Sequence, residues 1–258
     1  MLTGIDHVIL AVHDPNKAAS QLEAELGLRA TGGGRHDQHG TFNRLIWLGD
    51  SYIELMGVFD EKLAAESWWG GHILRLLASA EAAYAGMPLS SDEIAVDVAL
   101  LRGQSSPIGD AADGQRMRPD GRAVKWRAAR LPEPDPDLGL AFLIEHDTAA
   151  AEWTSAERGT RAEESHPLGG PARLARIDMP VGSTARATQR LHRDLGLAFR
   201  PSLAGSGARD TSLGEQTLRL VPSVPGAVPT IVIRGGSLER EASLLGCQWI
   251  VEPAISAT

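Results

Sequence analysis

The chain has 258 residues, 43% hydrophobic and 22% charged, the balance of an ordinary globular protein with room for one large or two modest domains. A net charge of −8 and a pI near 5.5, with no concentrated run of Lys and Arg, exclude nucleic acid and anionic membrane as partners. The single cysteine, Cys247, excludes an intrachain disulfide and a Cys-based zinc cluster; with no membrane-length apolar run and no export segment at the start, the expected compartment is the cytoplasm.

Gly4 to Val12 is apolar on both parities and reads as a strand covered on both faces. Asp14 caps a helix that starts at Pro15, repeats Ala18, Leu22 and Leu26, and stops at Gly27. Strands are predicted at Leu28 to Gly33, Thr41 to Leu48 and Tyr52 to Phe59, which makes the unit βαβββ. A second, looser copy is predicted from a strand at His72 to Ala78. Ser90-Ser91-Asp92-Glu93 then opens a helix to about Arg102, and strands follow near Arg116, at Arg122 to Leu131 and at Leu140 to His146. The polar segment from Thr148 to Pro171 reads as a linker. Ala172 to Phe199 repeats the first unit at a fixed offset, with Ala187, Leu191, Leu195 and Gly196 answering Ala18, Leu22, Leu26 and Gly27. Pro229 to Pro253 reads as a shortened fourth copy of strand, helix and strand.

Glu54 interrupts the otherwise apolar strand Tyr52 to Phe59, on the same face as Tyr52 and Met56. A buried carboxylate needs a partner, and the candidates are a divalent cation, an imidazole from the adjacent first strand, or Arg44 across the hairpin. Thr41 and Asn43 share a face of the neighbouring strand and suit hydrogen bonding to a ligand; Asn43 is unfavourable in a strand interior and implies a compensating contact. The cluster Arg35-His36-Asp37-Gln38-His39 falls on a rim hairpin. Trp68 and Trp69 read as packing or lid residues. Cys247 reads as a buried small hydrophobe.

Repeated βαβββ modules, the opening DHVILAV with His7, a helix ending LGL and a fourth strand carrying YIEL resemble the vicinal oxygen chelate superfamily, and specifically its glyoxalase-like members. The resemblance implies an α+β fold in which paired modules form a U-shaped sheet around a cup, here residues 1–147, followed by a linker over 148–171 and a degenerate third module with a truncated fourth over 172–258. It implies a divalent metal (Zn, Mn, Fe, Ni or Co) held by His7 and Glu54 from the first module and His72 and Glu145 from the second. A one-residue shift of the second module's first strand would point Arg75 into the cup instead of His72. It further implies a small-molecule substrate with adjacent oxygens, contacted by Thr41, Asn43, Tyr52, His39 and Arg75, with Glu54 and Glu145 as catalytic groups in isomerase or lyase chemistry; a homodimer is allowed. Two other activities fit the superfamily: extradiol ring cleavage using His7, His72 and Glu145 alone, and metal-free binding or resistance. In the third module the positions of His7 and Glu54 become Arg176 and Arg219, so that copy is expected to hold no metal.

Overall fold

The computed structural model describes residues 2–163, 166–168, 170–205 and 207–254, so three residues of the expected linker and both ends of the chain lie outside the described residues. The first module follows a short strand β1 (Leu2–Ile5) and comprises β2 (His7–Val12), α1 (Pro15–Leu26), β3 (Gly32–His36), β4 (Thr41–Leu48) and β5 (Ser51–Val58). Asp14 accepts from the Asn16 and Lys17 amides, and Gly27 ends the helix with a left-handed φ of 69° that a side chain would resist. The strand predicted from Leu28 to Gly33 is displaced: residues 28–31 form a connection, and β3 reaches instead into His36.

The segment expected to open the second module is helical. After α2 (Glu61–Glu66), Ser67 caps α3 (Trp68–Leu77) by accepting from the Gly70 amide, which places His72 and Arg75 on a helix. A short apolar run cannot be assigned to helix or strand by periodicity alone. The true opening strands are β6 (Ala82–Gly86), rich in Ala and Gly and therefore weak as a strand signal, and the three-residue β7 (Leu89–Ser91). They lead into α4 (Ile94–Gly103), β8 (Ala112–Met117), β9 (Ala123–Arg130) and β10 (Phe142–His146).

These ten strands form one sheet in the order β1-β7-β10-β9-β8-β3-β4-β5-β2-β6. The continuous segment β1–β2 pairs antiparallel with the continuous segment β6–β7, so the two ends of the strand order meet and the sheet curls into a cup. The alternation along β2 then has a plain consequence. Val8, Leu10 and Val12 join the core outside the cup, while Ile9 and Ala11 face its interior together with Met56, Phe142 and Ile144.

The region expected as a polar linker carries α5 (Ser155–Glu163) and packs inward through the buried Glu152, Trp153 and Arg161. The third module is β11 (Ala172–Val181), α6 (Thr184–Leu195), β12 (Arg200–Pro201), β13 (Arg209–Leu213) and β14 (Gln216–Pro222). The fourth differs from expectation: β15 (Thr230–Gly235), β16 (Arg240–Leu244) and β17 (Cys247–Glu252) are three strands without a helix. Together they form a seven-stranded sheet, and α1, α4 and α6 supply side chains to one apolar core shared by both sheets.

The parallel register shows the repeat directly. Leu10 pairs with Leu55, Leu89 with Leu143 and Met179 with Leu220, and in each case the first residue lies four positions before a helix cap, at Asp14, Glu93 and Ser183.

Candidate functional site

The cup encloses a cavity whose polar floor is built on β2, β4 and β5. His7 is buried with its ring stacked on Tyr52 at 4.4 Å between centroids. Its Nδ1 meets Asp6 Oδ1 at 2.7 Å and its Nε2 meets Glu54 Oε2 at 3.3 Å. The other Glu54 oxygen accepts from Asn43 Nδ2 at 2.5 Å, and Asn43 is oriented by the Gly34 amide, which donates to its Oδ1 at 2.8 Å. Both Glu54 oxygens are thus engaged by an imidazole and an amide. Arg44, the alternative partner, instead donates to the Ala30 carbonyl.

Burial disfavours the charged forms here, yet the pairing overrides it. Burial pulls the His7 pKa down, but hydrogen bonds and charges from Asp6 and Glu54 raise it to about 9. Burial pushes Glu54 up, but His7, His36 and Asn43 lower it to about 2. Asp6 is likewise held below the ordinary carboxylate range against burial, chiefly by His146 and His7. At neutral pH the floor is an alternating row of anion, cation and anion.

Contacts from Asp6 reach into the second module. His146 Nε2 lies 3.1 Å from each Asp6 oxygen, and the Ser90 hydroxyl donates to Asp6 Oδ2 at 3.0 Å. The His146 ring is clamped against Trp153, 3.7 Å between centroids and nearly parallel. His36 lines the same cavity with Nδ1 3.1 Å from the Thr41 hydroxyl; burial, with the charges of Arg116, His39 and His7, outweighs Glu54 and lowers its pKa to about 4. Arg116 and Glu152 form a buried ion pair in the wall, with Glu152 held at a left-handed φ of 71°. Trp68, Trp69, Trp126, Phe142 and Ile144 complete the apolar lining.

The structure brings together His7, Glu54, Asn43 and Tyr52 and leaves other expected residues apart. Thr41 stands behind His36, and His39 packs its ring on Trp69, 4.2 Å away, outside the main cavity. His72 and Arg75 sit on α3 and do not line the cavity. Glu145 points away from it: Phe142, Ile144 and His146 occupy the cup face of β10, so Glu145 falls on the opposite parity and its carboxylate accepts from the Ile94 amide at 2.6 Å, capping α4. Ser90 and Ser91, expected in a capping box, bond Asp6 and Asp97 instead.

Counting back from the paired leucines locates the second module's counterparts of the first-module pair. Glu54 precedes Leu55, and the residue preceding Leu143 is Phe142; His7 lies three before Leu10, and three before Leu89 is Gly86. A Cβ on Gly86 would stand 2.5 Å from the Leu140 Cβ and 2.6 Å from its carbonyl oxygen, so that position accepts no side chain. Among the described residues no group of three or more His, Cys, Asp or Glu side chains is arranged to hold a metal ion. The donors present do not fit the four-ligand centre. In the third module the same count gives Arg176 and Arg219, which pair with Asp178 and Asp210.

A family model described as a glyoxalase-like domain matches residues 5–195. The chain belongs to the glyoxalase-like domain family. A hypothetical protein from Staphylococcus aureus superposes with a TM-score of 0.77 at 15% identity, over 96% of this chain and 98% of that one. A variant of 4-hydroxymandelate synthase from Streptomyces coelicolor gives 0.53 at 12% identity, over 91% and 71%. Methylmalonyl-CoA epimerase from the same organism gives 0.41 at 18% identity, over 56% and 98%. At these identities the likeness to the first two shows the fold alone. None of the curated proteins matches the chain. Among the described residues no helix of this glyoxalase-like protein is long and apolar enough to cross a membrane.

Several residues of the site were not singled out from sequence: Asp6, Arg116, Trp126, His146, Glu152 and Trp153. Parity was the available signal for His146, since Phe142 and Ile144 fix the inner face of β10 once its direction is known. For Glu152 and Trp153 the signal was weaker, a tryptophan inside an otherwise polar connection.

Proposed function

We propose that this glyoxalase-like protein binds a small molecule in an aromatic-walled cup and does so without a metal bridging the two modules. The observation that carries this reading is the replacement at the second module's ligand positions, Gly86 and Phe142, the first closed to any side chain by Leu140. Glu54 acts as the counter-ion that keeps His7 protonated, and Asn43 fixes the carboxylate. The ligand lies against Tyr52, Trp126 and Phe142, which offer broad apolar faces above a charged floor. Elemental analysis of untagged protein purified without added metal tests the proposal, together with melting curves in Zn, Mn, Fe, Ni or Co. Less than a tenth of an equivalent of each metal and no rise in melting temperature are expected; a stoichiometric metal lost on His7→Ala would overturn it.

A second reading, catalysis by proton transfer, is favoured by one feature. Glu54, His7, Asp6 and His146 form an unbroken chain of contacts whose two ends both line the cavity. In that reading a proton taken from the substrate at one end leaves the electron pair on the substrate, and the chain redistributes the charge. Solvent deuterium exchange into a bound carbon acid, abolished by Glu54→Gln, is its expected signature; its absence leaves binding alone.

A further inference from the structure

The three module helices turn the same side outward, and one of them differs from the others there. Counted from the caps Asp14, Glu93 and Ser183, the outward positions are the second, third, sixth, seventh and tenth residues. In α1 these are Asn16, Lys17, Ser20, Gln21 and Ala24, and in α6 they are Ala185, Arg186, Gln189, Arg190 and Arg193. That is the polar outer face of an ordinary surface helix. In α4 the same positions carry Ala95, Val96, Ala99, Leu100 and Gly103, without one polar side chain. Val96 is 48% exposed and Leu100 58%. The module fold is common to all three helices, so it does not account for the difference; an apolar outer face on α4 alone marks a surface that meets another molecule.

The patch does not end at the helix. Beside α4 runs a groove of about 650 Å³ with apolar walls at Leu2, Leu100 and Phe199. It extends the surface past a single helix face, which alone is smaller than the roughly 800 Å² that each partner gives to a specific interface.

The two ends of α4 identify the occupant. Asp92 and Glu93 stand exposed at its N-terminus, and the exposed Arg102 lies in its last turn. Arg102 donates to the Ile108 carbonyl through Nε and to Asp110 through Nη1, which leaves Nη2 unused among the described residues. The Glu93 side chain makes no cap bond. A face that is apolar along its middle, acidic at one end and basic at the other is complementary to itself turned end for end. An antiparallel second α4 sets each Arg102 at the acidic end of its partner, opposes the helix dipoles, and brings Val96 beside the partner's Leu100. The small side chains of Ala95, Ala99 and Gly103 allow the close approach.

We propose that the chain forms a two-fold dimer through antiparallel pairing of α4. The helix packs outside the cup, where Glu145 caps it from the outer face of β10, so the pairing leaves the cup open and stands apart from what the cup binds. Sedimentation of the untagged full chain over a concentration series tests it. The mass should rise to twice 27.5 kDa. Leu100→Glu, which enters a symmetric interface twice, should weaken the dimer about a hundredfold. Gln21→Glu, at the matching position of α1, should leave the dimer intact, and circular dichroism reports whether each variant folds. Arg102→Glu should also weaken the dimer, and adding Glu93→Arg should restore it. The two ends of one helix are ~15 Å apart, so that rescue acts between copies. A chain that stays monomeric throughout, a dimer indifferent to Leu100→Glu, or a charge reversal without rescue overturns the proposal.

Discussion

Replacing Glu54 by Gln keeps the shape of the side chain and removes its charge, and the surrounding hydrogen bonds dictate the cost. Asn43 cannot turn round, because the Gly34 amide holds its Oδ1, so its Nδ2 still requires an acceptor at residue 54. The amide oxygen of Gln meets that demand and its NH₂ is left against His7 Nε2, a donor facing a donor. Relief comes if His7 loses its Nε2 proton. In the native protein the His7 pKa is about 9, so a fall to below 7 corresponds at pH 7 to about 2–3 kcal/mol, at ~1.4 kcal/mol for each pH unit. That agrees in order of magnitude with the ~3–5 kcal/mol lost when one partner of a buried ion pair is removed. Glu54→Gln should therefore melt about 5–10 °C below the native protein at pH 7. The pH dependence supplies the sign. A raised His7 pKa stabilises fully below about 6.5 and is lost as pH rises through 9, so the difference between native and variant should be largest near pH 6 and close above pH 9. Denaturant titrations at several pH values measure it, and NMR titration of His7 reads its pKa directly. A variant as stable as the native protein at pH 6, or more stable, would refute the assignment of His7 and Asn43 as the partners that stabilise the Glu54 carboxylate.

His36 is buried with its pKa lowered to about 4, so the unfolded chain takes up a proton that the folded one refuses as pH falls from 6.5 towards 4; stability should drop over that window, and His36→Gln should flatten the drop. Identical pH profiles for both proteins would rule His36 out as its source. Arg116→Met removes the nearer of two cations from the buried Glu152, leaving Arg118 at 4.0 Å, and should cost about 3 kcal/mol, the low end for a broken buried pair, with part recovered on adding Glu152→Gln, as a double-mutant cycle in denaturant would show. Phe142→His places a third donor beside His7 and Glu54, since the Phe142 and His7 rings are 6.2 Å apart; calorimetry should detect zinc binding in this variant and none in the native protein.

What the sequence revealed divides along physical lines. The first module was legible because its signals are local: the Asp14 cap, the Pro15 start, the four-residue spacing to Leu26 and the glycine stop all act within a few residues. The third module was legible as its copy. The second was misread because its helix α3 is a short apolar run whose period does not separate helix from strand, while its true opening strand is built of Ala and Gly. Glu145 was placed in the cup by the likeness of LIEH to YIEL, and the error was one of parity, which moves a residue to the other face of a sheet. The need for a partner at Glu54 was sound; its identity, His7 with Asn43, depends on the pairing of strands that are distant in sequence.

The shared register also explains why one half of the cup is charged and the other apolar. Three modules use the same strand pairing and the same distance to the helix cap, so the two sites that carry His7 and Glu54 exist in each of them as geometry, whatever residues occupy them. In the first module a buried acid and base satisfy one another, with Asp6 and Asn43 as supports. In the third, the half-buried Arg176 and Arg219 are matched by Asp178 and Asp210, so charge there is balanced within its own sheet. The second module has neither solution. Leu140 fills the space beside Gly86, and Phe142 turns its ring towards His7. Placing a lone ligand in that module would bury a group with no neighbour to compensate it, whereas Phe142 adds apolar surface at no such cost. Charge in the floor is thus confined to residues that pair with one another.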